Sequence, residues 1–109
     1  MRVPTEHERV LRCLIQDIHG PLNLLFPGIR VRVDEERLGF RGPVDLRLQV
    51  DYAHPKLGHL SYGQIVPEYV LLANRDSIIK YLMEVVPRQV LEGMLKKAQE
   101  FVTKNWYSL

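Results

Sequence analysis

The chain has 109 residues, 46% of them hydrophobic, a formal charge of +2 and a single cysteine. Domains run to about 100–150 residues, so residues 1–109 read as one domain, and the apolar content excludes a chain disordered throughout. The small net charge argues against bulk attraction to nucleic acid, Cys13 alone cannot form an internal disulfide, and no apolar run nears the roughly 20 residues that span a bilayer.

Met1-Arg2-Val3-Pro4 leads into polar sequence and offers no secretory apolar segment, which predicts a cytoplasmic protein with no membrane partner. Charges cancel locally over most of the chain. The excess lies near the end, where Arg88, Lys96, Lys97 and Lys104 outnumber Glu92 and Glu100. Only that segment offers an electrostatic footprint.

The first helix is announced by Thr5-Glu6-His7-Glu8, a capping box in which the Thr5 hydroxyl and the Glu8 carboxylate exchange hydrogen bonds with each other's amides. Val10, Leu11, Leu14, Ile15 and Ile18 follow as an apolar stripe, with His7 on the same face and Cys13 roughly opposite, exposed. Gly20-Pro21 should end the helix. Pro21-Leu22-Asn23-Leu24-Leu25-Phe26-Pro27 reads as one helical turn or an irregular packed connection.

Two runs with period two come next. Ile29, Val31 and Val33 alternate with Arg30, Arg32 and Asp34; Val44, Leu46, Leu48, Val50 and Tyr52 alternate with Asp45, Arg47, Gln49 and Asp51. This pattern predicts a half-buried antiparallel hairpin, 29–34 with 44–52, joined by a loop containing Gly39, Phe40 and Gly42. Residues 53–65 read as loop and turn. Since two strands alone are marginal, a third strand is expected at 69–72, with a short helix behind Pro67 as the alternative.

Asp76 is the expected cap of a long periodic segment. Ile78, Leu82 and Val85 form one stripe; beyond Pro87 a second comprises Leu91, Met94, Leu95, Ala98, Phe101 and Val102. Pro87 should divide the segment into two helices, because its ring clashes with the carbonyl four residues earlier. The architecture expected is α+β, with an N-terminal helix, a small antiparallel sheet and two C-terminal helices packed on one sheet face. The element order is similar to that of RWD-type interaction domains. Tyr52-Ala53-His54-Pro55 does not reproduce that family's tyrosine-proline motif, so no site residue is carried over.

Chemistry finds little purchase in this sequence. Asp51, His54 and His59 are the nearest approach to a metal site, and their spacing matches no common ligand pattern. The adjacent Glu35 and Glu36 point to opposite faces of a strand, and Ser61 and Ser77 lack a nucleophile elbow. The glycines show neither Rossmann nor P-loop spacing. Neither catalysis nor a cofactor is expected.

The leading expectation is therefore a non-enzymatic protein-interaction or assembly module, self-associating, of the kind found among small accessory or viral proteins. Phe101, Trp106, Tyr107 and Leu109 are the candidate partner-binding residues, because large aromatics are enriched at binding hot spots. The alternatives are a nucleic-acid binder contacting phosphates through Arg88, Lys96, Lys97 and Lys104, and a small enzyme or metal protein using the 51–59 loop.

Overall fold

Every fourth residue of the first helix turns the same way, and Leu11, Leu14, Ile15, Ile18 and Leu22 are all buried. The molecule is seen in a computed structural model that describes residues 6–37 and 44–107, with backbone alone for 36, 37, 44 and 105–107. Its elements are α1 (Glu6–Leu25), β1 (Arg30–Arg37), β2 (Val44–His54), β3 (Gly58–Ile65), α2 (Glu68–Leu71) and α3 (Arg75–Tyr107). The class is the α+β arrangement expected, with an N-terminal helix, an antiparallel sheet and two C-terminal helices. Several boundaries differ, each for a physical reason.

Helix α1 does not stop at Gly20-Pro21; Pro21 lies inside it. An internal proline costs about 3 kcal/mol. Continuing the helix keeps Leu22 fully buried and brings Phe26 into the core after it, at intervals of four from Ile18. Each such burial stabilises by about 1.5–3 kcal/mol, so packing outweighs the local rule. The helix closes at Gly28, whose φ of 84° suits glycine and whose amide donates to Asn23 Oδ1 at 2.8 Å. His7, expected on the buried stripe, is exposed, whereas Glu8 in the same turn is buried, its Oε1 3.4 Å from Arg12. Cys13 is exposed as expected. Thr5 and the loop glycines 39 and 42 lie outside the described residues.

The expected antiparallel hairpin forms, and its register places Val33 opposite Leu48 and Val31 opposite Val50. Leu46, Leu48, Val50 and Tyr52 turn inward, and Phe26 meets Tyr52 edge to face at 5.5 Å. On the open face Arg32 reaches Asp34 at 3.0 Å and Asp51 at 3.2 Å. These exposed pairs contribute at most about 1 kcal/mol each, so register is set by the apolar face.

The third strand is 58–65, in place of the expected 69–72, and pairs antiparallel with β2 to give the order β1-β2-β3. Residues 68–71 instead form α2. Val66 donates the last ladder bond, to the Leu46 carbonyl at 2.8 Å, and Pro67, whose fixed φ suits a helix start, begins a helical turn. Between β2 and β3, His54 Nδ1 accepts from the amides of Lys56 and Leu57, and Gly58 takes a φ of 90°.

Helix α3 runs unbroken through Pro87 for 33 residues. Asn74, two residues before the expected Asp76, is its cap, accepting from the Ser77 amide at 2.9 Å. Ile78, Leu82, Val86 and Val90 point inward at intervals of four, on both sides of the proline, while Val85 is only half-buried. Breaking the helix would leave a set of unpaired carbonyls at one new end and unpaired amides at the other. Continuing it forfeits one donor and keeps Val90 in the core. The two C-terminal helices are thus α2 and α3, divided at 72–74.

Two predictions follow from this packing. Pro87→Ala returns a donor to the carbonyl of Met83 and should raise unfolding free energy by about 1–3 kcal/mol in urea titration; a decrease would mean that the core depends on the proline's local geometry. At Gly93, which is buried on α3, a Cβ would fall on the Tyr62 hydroxyl and Cζ. Gly93→Ala should therefore lose about 1–3 kcal/mol, although alanine is normally favoured over glycine inside a helix by about 1 kcal/mol. A gain in stability would refute that contact.

Candidate interaction site

The 51–59 segment, the one place where the sequence gathers metal-capable side chains, is used structurally. His54 Nδ1 is taken up by two turn amides. His59 Nε2 lies 3.5 Å from Asp51 Oδ1, and the other Asp51 oxygen meets Arg32. Among the described residues no three His, Cys, Asp or Glu side chains gather as a ligand set.

Helix α3 is the dominant feature. Thirty-three residues at about 1.5 Å each give roughly 50 Å, close to the molecule's 55 Å longest extent. Gly93 is the last buried residue among its described side chains, so the turns from 94 to 104 project past the main core. In that projecting half the polarity is inverted. Gln89, Gly93, Lys96 and Glu100 border β3. Two positions further on, about 200° round the helix, are Leu91, Leu95, Ala98 and Val102, which therefore turn away from the sheet. Leu91 is 55%, Leu95 60% and Val102 62% exposed, and neighbouring Phe101 is 65% exposed. Exposed charged groups stand on the side toward β3, and exposed apolar groups stand on the side away from it. The apolar stripe read from the sequence is present, but only Met94 and Ala98 of it are half-buried.

The predicted partner-binding residues are accordingly split. Phe101 stands on the exposed apolar face. Trp106 and Tyr107 continue the helical backbone, their side chains outside the described residues, as is Leu109. Of the predicted phosphate contacts, Arg88 pairs with Glu84 at 2.7 Å. Lys96 and Lys97 border β3 together with the carboxylate of Glu100, and Lys104 lies on the projecting turns. The structure does not gather these four into one cationic stripe.

The sequence reading missed a second surface, where β3 meets α3. Tyr62 lies against Gly93, Gln64 Nε2 donates to Tyr81 Oη at 3.0 Å, and Gln89 Nε2 donates to Gln64 Oε1. The polar Gln64 and the Gly63 beside it hid the alternation of Leu60 and Tyr62. On the opposite face Gly63 leaves room for the Arg47 guanidinium, where a Cβ would collide. The signal lay in that alternation across 59–62.

Burial raises the Tyr62 phenol above its ordinary value of 10.0. Burial raises Tyr81 as well; the Gln64 hydrogen bond opposes this by stabilising the phenolate, and Tyr69 adds to the rise. With a folded value above the unfolded one, the unfolded chain loses its proton first as pH increases. The stability that these phenols contribute is therefore complete below about pH 10 and is lost as pH rises through the folded values. Urea titrations from about pH 8 to about pH 11 should show falling stability, with a shallower fall in Tyr81→Phe. Equal slopes in variant and wild type would remove Tyr81 from this account.

No helix among the described residues is long and apolar enough to cross a membrane. Comparison with protein-family models, with curated proteins and with solved structures found no match for this chain.

Proposed function

We propose that the chain is a non-enzymatic assembly module whose copies associate through the outward face of the projecting half of α3. The observation that carries this reading is the inverted polarity there, with Leu91, Leu95, Phe101 and Val102 in water while Lys96, Lys97 and Glu100 border the sheet. A contiguous apolar patch on a surface helix is a common mark of an interaction site.

The spacing favours a second copy. Leu91, Leu95, Ala98 and Val102 stand at intervals of four, three and four, the a/d pattern by which one helix receives the knobs of another like it. Met94 and Phe101 widen the seam on one flank, and the small Ala98 lets two helix axes approach near its middle. Between copies this face would remove from water apolar groups that the single chain leaves exposed.

Sedimentation equilibrium tests the proposal. The wild type should self-associate at micromolar concentration, and Leu95→Asp, which places a charge in the seam, should weaken association about 100-fold or more. Because Leu95 is exposed in the single chain, the variant's monomer stability should stay within about 0.5 kcal/mol of wild type. A wild type that remains monomeric to about 100 μM, some hundredfold above that range, or a Leu95→Asp protein that associates as well as wild type, would sink the proposal.

A further inference from the structure

We propose that the groove between β3 and α3 receives an extended peptide from another protein, which adds to the sheet as a fourth strand. The sheet has two edges, and they differ sharply. Edge strand β1 carries Arg30, Arg32, Asp34 and Glu35, charges of the kind that protect an edge from pairing. Edge strand β3, Gly58-His59-Leu60-Ser61-Tyr62-Gly63-Gln64-Ile65, has no Asp, Glu, Lys, Arg or Pro along its eight residues. Among the described residues no strand pairs beyond it.

The register shows which backbone groups are on offer. Val66 bonds Leu46, and hydrogen-bonded pairs alternate along an antiparallel ladder, so Gln64, Tyr62 and Leu60 bond Leu48, Val50 and Tyr52. The amides and carbonyls of His59, Ser61, Gly63 and Ile65 then point outward from the edge. An extended backbone is the chemical partner that satisfies such a row.

Helix α3 supplies the second wall. Two adjoining hollows run along this edge, the first between His59–Tyr62 and Gly93, Lys96, Lys97 and Glu100, the second between Ser61–Gly63 and Gln89, Glu92 and Gly93. Ser61 and Gly63 carry their side-chain positions on the sheet's open face, yet they border hollows shared with a helix on the other face. The hollows must therefore lie at the edge itself. The wall's lysines and glutamates balance, so the groove selects no net charge. What the edge asks for is backbone: the segment that fits is extended, its amides and carbonyls paired with the outward groups of His59, Ser61, Gly63 and Ile65. A single extended segment brings only its backbone, whereas a second copy's β3 would bring its own long helix into the space beside this wall.

The test uses the full chain as bait for a displayed library of random decapeptides, followed by fluorescence anisotropy with the peptides selected. Ser61→Pro removes an outward amide and leaves the β2 ladder bonds in place, so it should weaken binding about tenfold or more with the circular dichroism unchanged. A control that needs no folded variant is N-methylation of the peptide: methyls on one alternate set of amides should abolish binding, and on the other set should not. Leu95→Asp, on the opposite face of α3, should bind peptide as wild type does, which keeps this proposal separate from the helix seam. Failure to select any peptide, insensitivity to N-methylation, or loss of binding in Leu95→Asp would each overturn it. So would a Ser61→Pro protein that binds peptide unchanged, or one that loses self-association instead, since the edge would then belong to a second copy.

Discussion

Four residues at intervals of four, Ile78, Leu82, Val86 and Val90, hold α3 against the rest of the molecule, and the other elements take their places from that stripe. All four are essentially inaccessible to water, and they meet α1's Leu11, Leu14, Ile15 and Ile18 and the sheet's Leu46, Leu48 and Val50 in one core. Each burial stabilises by about 1.5–3 kcal/mol, more than most local preferences can oppose. Both internal prolines follow from this. Pro21 and Pro87 sit inside helices because the residues beyond them have places in the core, and a broken helix would withdraw those residues while exposing a new set of backbone ends. A helix started in the core and carried through Pro87 has no reason to stop at the core's boundary. Its later turns run on past the sheet, where the same helical period presents a different face.

The projecting half separates two kinds of surface that small domains usually combine. On the side toward β3 it is charged and borders a polar edge groove; on the side away from the sheet it is apolar and unaccompanied. The two proposals made for this chain use those surfaces separately, a helix seam for copies of itself and a strand edge for an extended peptide. They are physically compatible because the two faces lie about 200° apart round one helix. A module with both would join self-assembly to capture of a linear segment.

The polar contacts at the β3–α3 junction bear on why the groove lies where it does. Tyr62 fits because Gly93 has no side chain, which draws helix and strand close at one point. Either side of that contact, Gln89 and Lys96 line open hollows between the two elements. Gln64 is tolerated on the inward face of the sheet only because Tyr81 and Gln89 complete its hydrogen bonds, a requirement that a leucine there would not have. The junction is thus less apolar than the α1 side of the core, and it remains open along the edge.

Much of the fold was legible in the residues themselves. Period-two alternation located β1 and β2 and their inward faces, and helical period located α1, α3 and the apolar face that now stands in water. These signals are local, set by backbone geometry that any chain segment must obey. What the sequence could not decide were matters of competition between distant parts. Whether Pro87 ends a helix depends on what Val90 can bury against; whether 69–72 is strand or helix depends on whether 58–65 already occupies the edge of β2. Which face of α3 meets the sheet is likewise decided by Gly93 lying beneath Tyr62, a contact between residues 31 apart in the chain. The stripe Leu91, Leu95, Ala98 and Val102 reads identically in sequence whether it is core or surface. Only the tertiary structure assigns it, because the side of the helix that meets the sheet is settled by what distant residues, Tyr62 among them, offer to pack against.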